Sequence, residues 1–224
     1  MKVRIINITN DPVKTIFNAY RICYAKGGYD AIKDKSEEEM IEFIKPLMAE
    51  MHTSPLEHVN ITFYIEGISR ACMSQITRHR TGSFNVQSQR YCDANSFSFV
   101  IPELSYIESE YERNIVKQEL KDCYERSLNE YNYFVSKGLK KEDARSILPN
   151  ATTSNMLVTF DLNNFRKMYA QRACRHAQEE IREMANIMMN QVKELIPFAD
   201  YKAMYCNRIC YQCSNKKINV SRET

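Results

Sequence analysis

From Ile107 to about Val135 the chain is heavily charged, yet Tyr111, Ile115, Leu120, Tyr124, Leu128, Tyr131 and Phe134 recur at roughly helical spacing. The pattern predicts one long scaffold helix ended at Gly138, with these residues as its apolar stripe. Further on, Asp161 can cap a helix with Leu162, Phe165, Met168 and Tyr169 facing inward, and Ala177, Ile181, Met184, Met188, Val192 and Leu195 continue the helical pattern to Pro197. Period-two alternation is confined to short, dispersed runs: Val3 to Ile8, Val59 to Ile65, Ser96 to Ile101 and Met156 to Phe160. Strands that do not alternate regularly with helices indicate an α+β fold rather than a doubly wound sheet.

In the first half, Asp11-Pro12 reads as an N-cap followed by proline at the first helical position, with Val13, Ile16, Phe17 and Tyr20 inward. Ser36 and Glu39 make a capping box for a helix that buries Met40, Ile44 and Met48 and should kink at Pro46. A short helix from Arg70 to Thr77 leads into an irregular loop carrying Arg78-His79-Arg80, and another around Ala144 to Leu148 stops at Pro149.

The chain of 224 residues, 44% hydrophobic, is expected to form one domain, with about 214–224 as a mobile tail. Only 5 glycines are present, and neither G-x-G-x-x-G nor G-x-x-x-x-G-K-[ST] occurs, so a nucleotide would have to be held without those loops. A net charge of +3 argues against a protein that coats nucleic acid. No stretch reads as a signal peptide or membrane span, which points to the cytoplasm and to reduced cysteines.

Against that balance, Ile68 to Cys92 contains no Asp or Glu but holds Arg70, Arg78, His79, Arg80 and Arg90. Guanidinium groups bind phosphate bidentately and stay charged at any working pH, and Ser83, Asn85, Gln87, Ser88 and Gln89 add neutral donors and acceptors. The segment therefore reads as an anion site, with an exposed basic loop as the plain alternative. His52, Ser54, Glu57 and His58 make a weak zinc signal; a histidine paired with an acid or set beside an aromatic ring suits them better. Arg172 and His176, at i and i+4 of the expected helix, read from spacing alone as a salt-bridged face with Glu179 and Glu180. Cys206, Cys210 and Cys213 supply only three thiolates, a poor structural zinc set.

Arg78-His79-Arg80, followed after seven residues by Ser88, resembles the signature of the flavin-dependent thymidylate synthases. Further segments extend the likeness: His52-Thr53-Ser54-Pro55-Leu56-Glu57-His58 before a strand, Gln75, Ser88-Gln89-Arg90-Tyr91, Ala144-Arg145 with Leu148-Pro149, and Arg172-Ala173 with His176-Ala177-Gln178. The resemblance implies a mostly antiparallel central sheet packed with long helices, and a homotetramer with shared active sites. It also implies FAD as cofactor and conversion of dUMP to dTMP, with NADPH reducing the flavin and methylenetetrahydrofolate as folate donor of the one-carbon unit. Arg78, His79 and Arg80 would hold FAD with His52, Ser54, Glu57, Asn85 and His176. Gln75, Arg78, Val86, Gln87, Ser88, Gln89, Arg90 and Arg145 would bind dUMP. Arg172 would contact the pyrimidine as the catalytic residue, stabilising negative charge developing on the ring.

Where many members carry Glu, this chain has Val86, and Asp161, Asn163 and Lys167 depart from residues common near the flavin. Two rivals remain: a single-stranded nucleic-acid binder stacking bases on Phe84, Tyr91, Phe97 and Phe99, and a family member that binds FAD or nucleotide without turnover.

Overall fold

The computed structural model describes residues 1–203, so Cys206, Cys210, Cys213 and the expected tail lie outside the described residues. Two compact units interleave along the chain. One takes Met1–Lys2, Ile65–Arg78 and Asn85–Met156; the other takes Val3–Tyr64, His79–Phe84 and the chain from Leu157 onward.

The fold is α+β. Strands β1 (Lys2–Ile8), β2 (Asn60–Ser69), β3 (Ser83–Val86) and β4 (Thr153–Asp161) pair in the order β1-β2-β4-β3. The α-helices among the described residues are α1 (Pro12–Ile22), α2 (Glu37–Ala49), α3 (Arg70–Ile76), α4 (Glu110–Ser136), α5 (Lys141–Ala144), α6 (Leu162–Arg172) and α7 (Glu179–Leu195). The strands run antiparallel. In the second unit the Thr62 and Thr159 hydroxyls bond at 2.9 Å. In the first, Gly67 N–H donates to Asn155 Oδ1 at 3.0 Å, and Gln87 N–H to the Asn155 carbonyl at 2.9 Å.

Along β2 the alternation holds as expected: Ile61, Phe63 and Ile65 are fully buried, each worth roughly 1.5–3 kcal/mol against exposure. On β4, Met156, Val158 and Phe160 do the same. In the second unit α1 and α2 pack together, as do α6 and α7. There Ile16, Ile44, Phe165, Met184 and Met188 complete the apolar interior. The capping box of α2 is fully formed, with the Glu39 N–H on Ser36 Oγ and the Ser36 N–H on Glu39 Oε2, and the helix continues through Pro46.

Several expectations need correction. Asp11 is the N-cap of α1 with Pro12 at its first position, as expected, but it lies in the left-handed region (φ 45°) and makes no side-chain cap hydrogen bond. Ser96 to Ile101 is not a strand. It contributes a single bridge, Phe99 with Thr152, since the Thr153 hydroxyl rather than a strand carbonyl takes the Ser98 N–H and Pro102 has no N–H to extend the pairing. Conversely, Ser83–Val86, where no strand is expected, pairs as β3.

Along the α4 stripe Tyr131 alone is buried, against Ala144; Leu120, Tyr124 and Leu128 are half-buried, while Tyr111, Ile115 and Phe134 are exposed. Finally, the helix expected to run from Leu162 to Pro197 breaks at residues 173–178. Gln178 is extended (ψ 145°) ahead of α7, so Arg172 and His176 do not share a helix face.

Candidate active site

In the second unit, the turn after α3 carries His79, and α6 ends on Arg172. The two side chains meet: Arg172 Nε–H donates to His79 Nε2 at 2.9 Å. Burial, and then the charge of Arg172, push the His79 imidazole down to about 4. It is neutral at pH 7. Nearby in sequence, Gly82 lies against Phe160, whose ring meets Phe84 edge-on at 5.7 Å, and a Cβ at Gly82 would collide with both rings. A residue larger than glycine is thereby excluded where the Arg78-His79-Arg80 turn enters β3.

His52 and Glu57 are also fixed. The Tyr20 ring meets the His52 ring edge-on at 5.2 Å, and its hydroxyl donates to the His52 carbonyl at 2.5 Å. Glu57 Oε1 accepts from Asn163 Nδ2 at 2.8 Å. Asp161 caps α6, taking the Asn164 N–H at 2.8 Å and Asn164 Nδ2 at 2.6 Å. Its carboxylate is thus occupied locally. Ser54, Glu57, His58, Arg80 and His176 are exposed.

In the first unit, Ser88 opens a turn: its carbonyl accepts the Tyr91 and Cys92 N–H groups, and its hydroxyl oxygen accepts the Arg90 N–H at 3.2 Å. Gln87 is tied to β4 by its N–H and by its side-chain oxygen, which takes the Asn155 N–H at 3.3 Å. Arg90 Nε pairs with Glu142 at 2.8 Å, and Arg145 Nε donates to the Glu142 carbonyl at 3.0 Å. Gln75 Nε2 donates to the Ala71 carbonyl at 3.2 Å. Arg78 and Asn85 are exposed, and Val86 is partly buried.

Two features of this unit are compatible with an anion. The Gln89 side chain is 4% exposed and its Nε2 is buried without an acceptor among the described residues. Arg70 is held below the usual guanidinium range by burial and by the like charge of Arg145, and no carboxylate pairs with either among the described residues. Arg70 stands in the acid-free run of the sequence, but the influence of Arg145 on it arises only in the fold. Helical spacing marks Tyr20 as core but not the partner of its hydroxyl, which the structure supplies in the His52 carbonyl.

A family model described as "Thymidylate synthase complementing protein" matches residues 4–198. Curated relatives named flavin-dependent thymidylate synthase match across most of the chain. That of Clostridium tetani is 33% identical over 214 residues, covering 88% of this chain and 84% of its own. That of Geobacter sulfurreducens is 36% identical over 200 residues, with the same coverage. This chain belongs to the flavin-dependent thymidylate synthase family. Its fold is also that of a UMP/dUMP methylase from Streptomyces cacaoi solved with 5-Br dUMP: TM-score 0.76 at 24% identity, covering 90% of this chain and 93% of that one.

For a flavin-dependent thymidylate synthase the donor set is chemically apt. The unpartnered buried amide of Gln89 and the unneutralised Arg70 and Arg145 fit a nucleotide anion. A neutral His79 between two exposed arginines fits a flavin nucleotide, which carries both an apolar ring and a charged pyrophosphate. No group of three or more His, Cys, Asp or Glu able to hold a metal occurs among the described residues, and no described helix is long and apolar enough to cross a membrane.

Proposed function

We propose that the chain methylates dUMP at C5 to give dTMP, as a cytoplasmic homotetramer with active sites shared between subunits. The one-carbon unit comes from methylenetetrahydrofolate. When bound, FAD reduced by NADPH supplies the hydride that completes the methyl group, and the C5 proton of the uracil leaves to solvent. The observation that carries the reading is the Arg172–His79 bond, which joins the pyrimidine-directed cation to the flavin-directed triplet.

In this reading Gln75, Arg78, Ser88, Gln89, Arg90 and Arg145 hold the nucleotide, chiefly its phosphate, with backbone groups of Val86 to Gln89. His52, Ser54, Glu57, Arg78, His79, Arg80, Asn85 and His176 hold FAD. Arg172 places a charge that cannot titrate away beside the uracil, favouring the negative charge that develops as C5 attacks the one-carbon carrier. Ser88 Oγ accepts the Arg90 N–H, with no histidine or lysine bonded to it among the described residues, and is assigned to binding rather than attack.

Gel filtration with FAD, followed by an anaerobic absorption spectrum with NADPH, tests the redox half. A flavin band that co-elutes and bleaches is expected; a colourless protein that binds oligonucleotides instead would replace this reading with the nucleic-acid one.

A further inference from the structure

The Arg172–His79 contact fixes more than proximity. Arginine Nε always carries hydrogen, so His79 Nε2 at 2.9 Å must present its lone pair, and the proton of the neutral ring sits on Nδ1. Both ends are anchored in the second unit. The His79 carbonyl accepts the Gly82 N–H at 2.9 Å, and Arg172 is followed by Ala173, whose N–H returns to the Tyr169 carbonyl at 2.8 Å.

We propose that His79 is a positioning residue for Arg172: its Nε2 lone pair holds the guanidinium where it meets the nucleotide, so nucleotide affinity depends on an uncharged His79. The nucleotide half rests on the function proposed above; the bond itself does not. The charge that acts on His79 is that of Arg172, with Arg78 and Arg80 beside it in the chain. Protonation would replace the acceptor by a donor and set two cations at hydrogen-bond distance. Burial and that same charge keep the ring neutral near pH 7.

The test has two arms on the full-length, FAD-loaded protein. Nitrogen NMR at pH 7 should show His79 as the Nδ1–H tautomer and a slowly exchanging Arg172 Nε–H, identified by its loss in Arg172→Lys. His79→Gln, whose amide oxygen can accept, should keep that signal and His79→Leu should lose it. An Nε2–H tautomer, or an Arg172 signal unchanged in His79→Leu, overturns the bond. In the second arm, dUMP titrated calorimetrically with excess FAD should bind about tenfold more weakly to His79→Leu and near normally to His79→Gln. In an Arg172→Ala background His79→Leu should add nothing. Equal loss in both backgrounds overturns the positioning role. A wild-type protein that binds no dUMP would overturn the nucleotide half together with the proposed function, and the NMR arm would still decide the bond.

Discussion

The polar side chains of the two compact units are satisfied to different degrees. In the second unit they are interlocked: Arg172 on His79, Asn163 on Glu57, Tyr20 on the His52 carbonyl, and Arg166, 7% exposed, on the Ala199 and Tyr201 carbonyls at 2.7 Å. In the first, the buried Gln89 Nε2 lacks an acceptor among the described residues, and Arg70 feels the like charge of Arg145 with no carboxylate paired to either among those residues. The unit with its bonds made behaves as a preformed frame. The other holds positive charge at Arg70 and Arg145 that no carboxylate pairs with among the described residues.

The sharpest break of this contrast is functional. Arg172→Ala should cut dTMP formation by about 10²–10³ while flavin stays bound, whereas Arg78→Ala should weaken FAD binding itself; equal flavin loss in both would erase the division of roles. Next comes the frame. Arg166→Met strands two carbonyls that now share a guanidinium, and chemical denaturation should show a loss of about 3 kcal/mol. Loss well under that figure would mean the frame is not held by its polar bonds.

An anion should sharpen the other side. Inorganic phosphate at many times its dissociation constant should stabilise the protein by about 2–3 kcal/mol, and Arg145→Ala should remove most of the gain that Arg172→Ala retains. An equal gain in both variants would take the anion away from Arg145.

The pH dependence follows from His79. Its folded value, about 4, lies below the ordinary 6.5, so the unfolded chain binds the extra proton first. Stability contributed by the neutral ring is complete above pH 6.5 and falls as pH drops from 6.5 toward 4. His79→Gln should flatten that part of the pH–stability curve; an unchanged curve would mean the imidazole titrates normally. The smallest effect belongs to Tyr20→Phe, which keeps the ring contact with His52 and loses one hydrogen bond, about 1 kcal/mol by denaturant melt.

Periodicity revealed much of the fold, because burial on one face is a local property of sequence. Ile61, Phe63 and Ile65 declared β2, and Ser36 with Glu39 declared the start of α2. It failed where tertiary partners decide. The run from Leu162 to Leu195 keeps its apolar spacing through residues that the chain folds as a turn. Ser83–Val86 pairs because β4 lies alongside, a partner its four residues cannot announce.

The same limit applies to the site. Arg78, His79, Arg80 and Ser88 were legible as residue types suited to phosphate and as a motif, and Arg172 through the resemblance alone. That Arg172 bonds His79, or that Tyr20 steadies His52, depends on side chains brought together from far along the chain. Exposed apolar residues of α4 carry the same lesson: spacing marks a stripe and says nothing of what covers it.

The most direct measurement is tritium release from dUMP labelled at C5, run anaerobically with the protein, FAD, NADPH and methylenetetrahydrofolate. Replacement of that hydrogen by a methyl group requires tritiated water to appear in step with dTMP, and its loss when either NADPH or the folate is omitted. Flavin reduction by NADPH with no tritium release and no dTMP would contradict the account, leaving a flavoprotein of this fold that does not methylate dUMP.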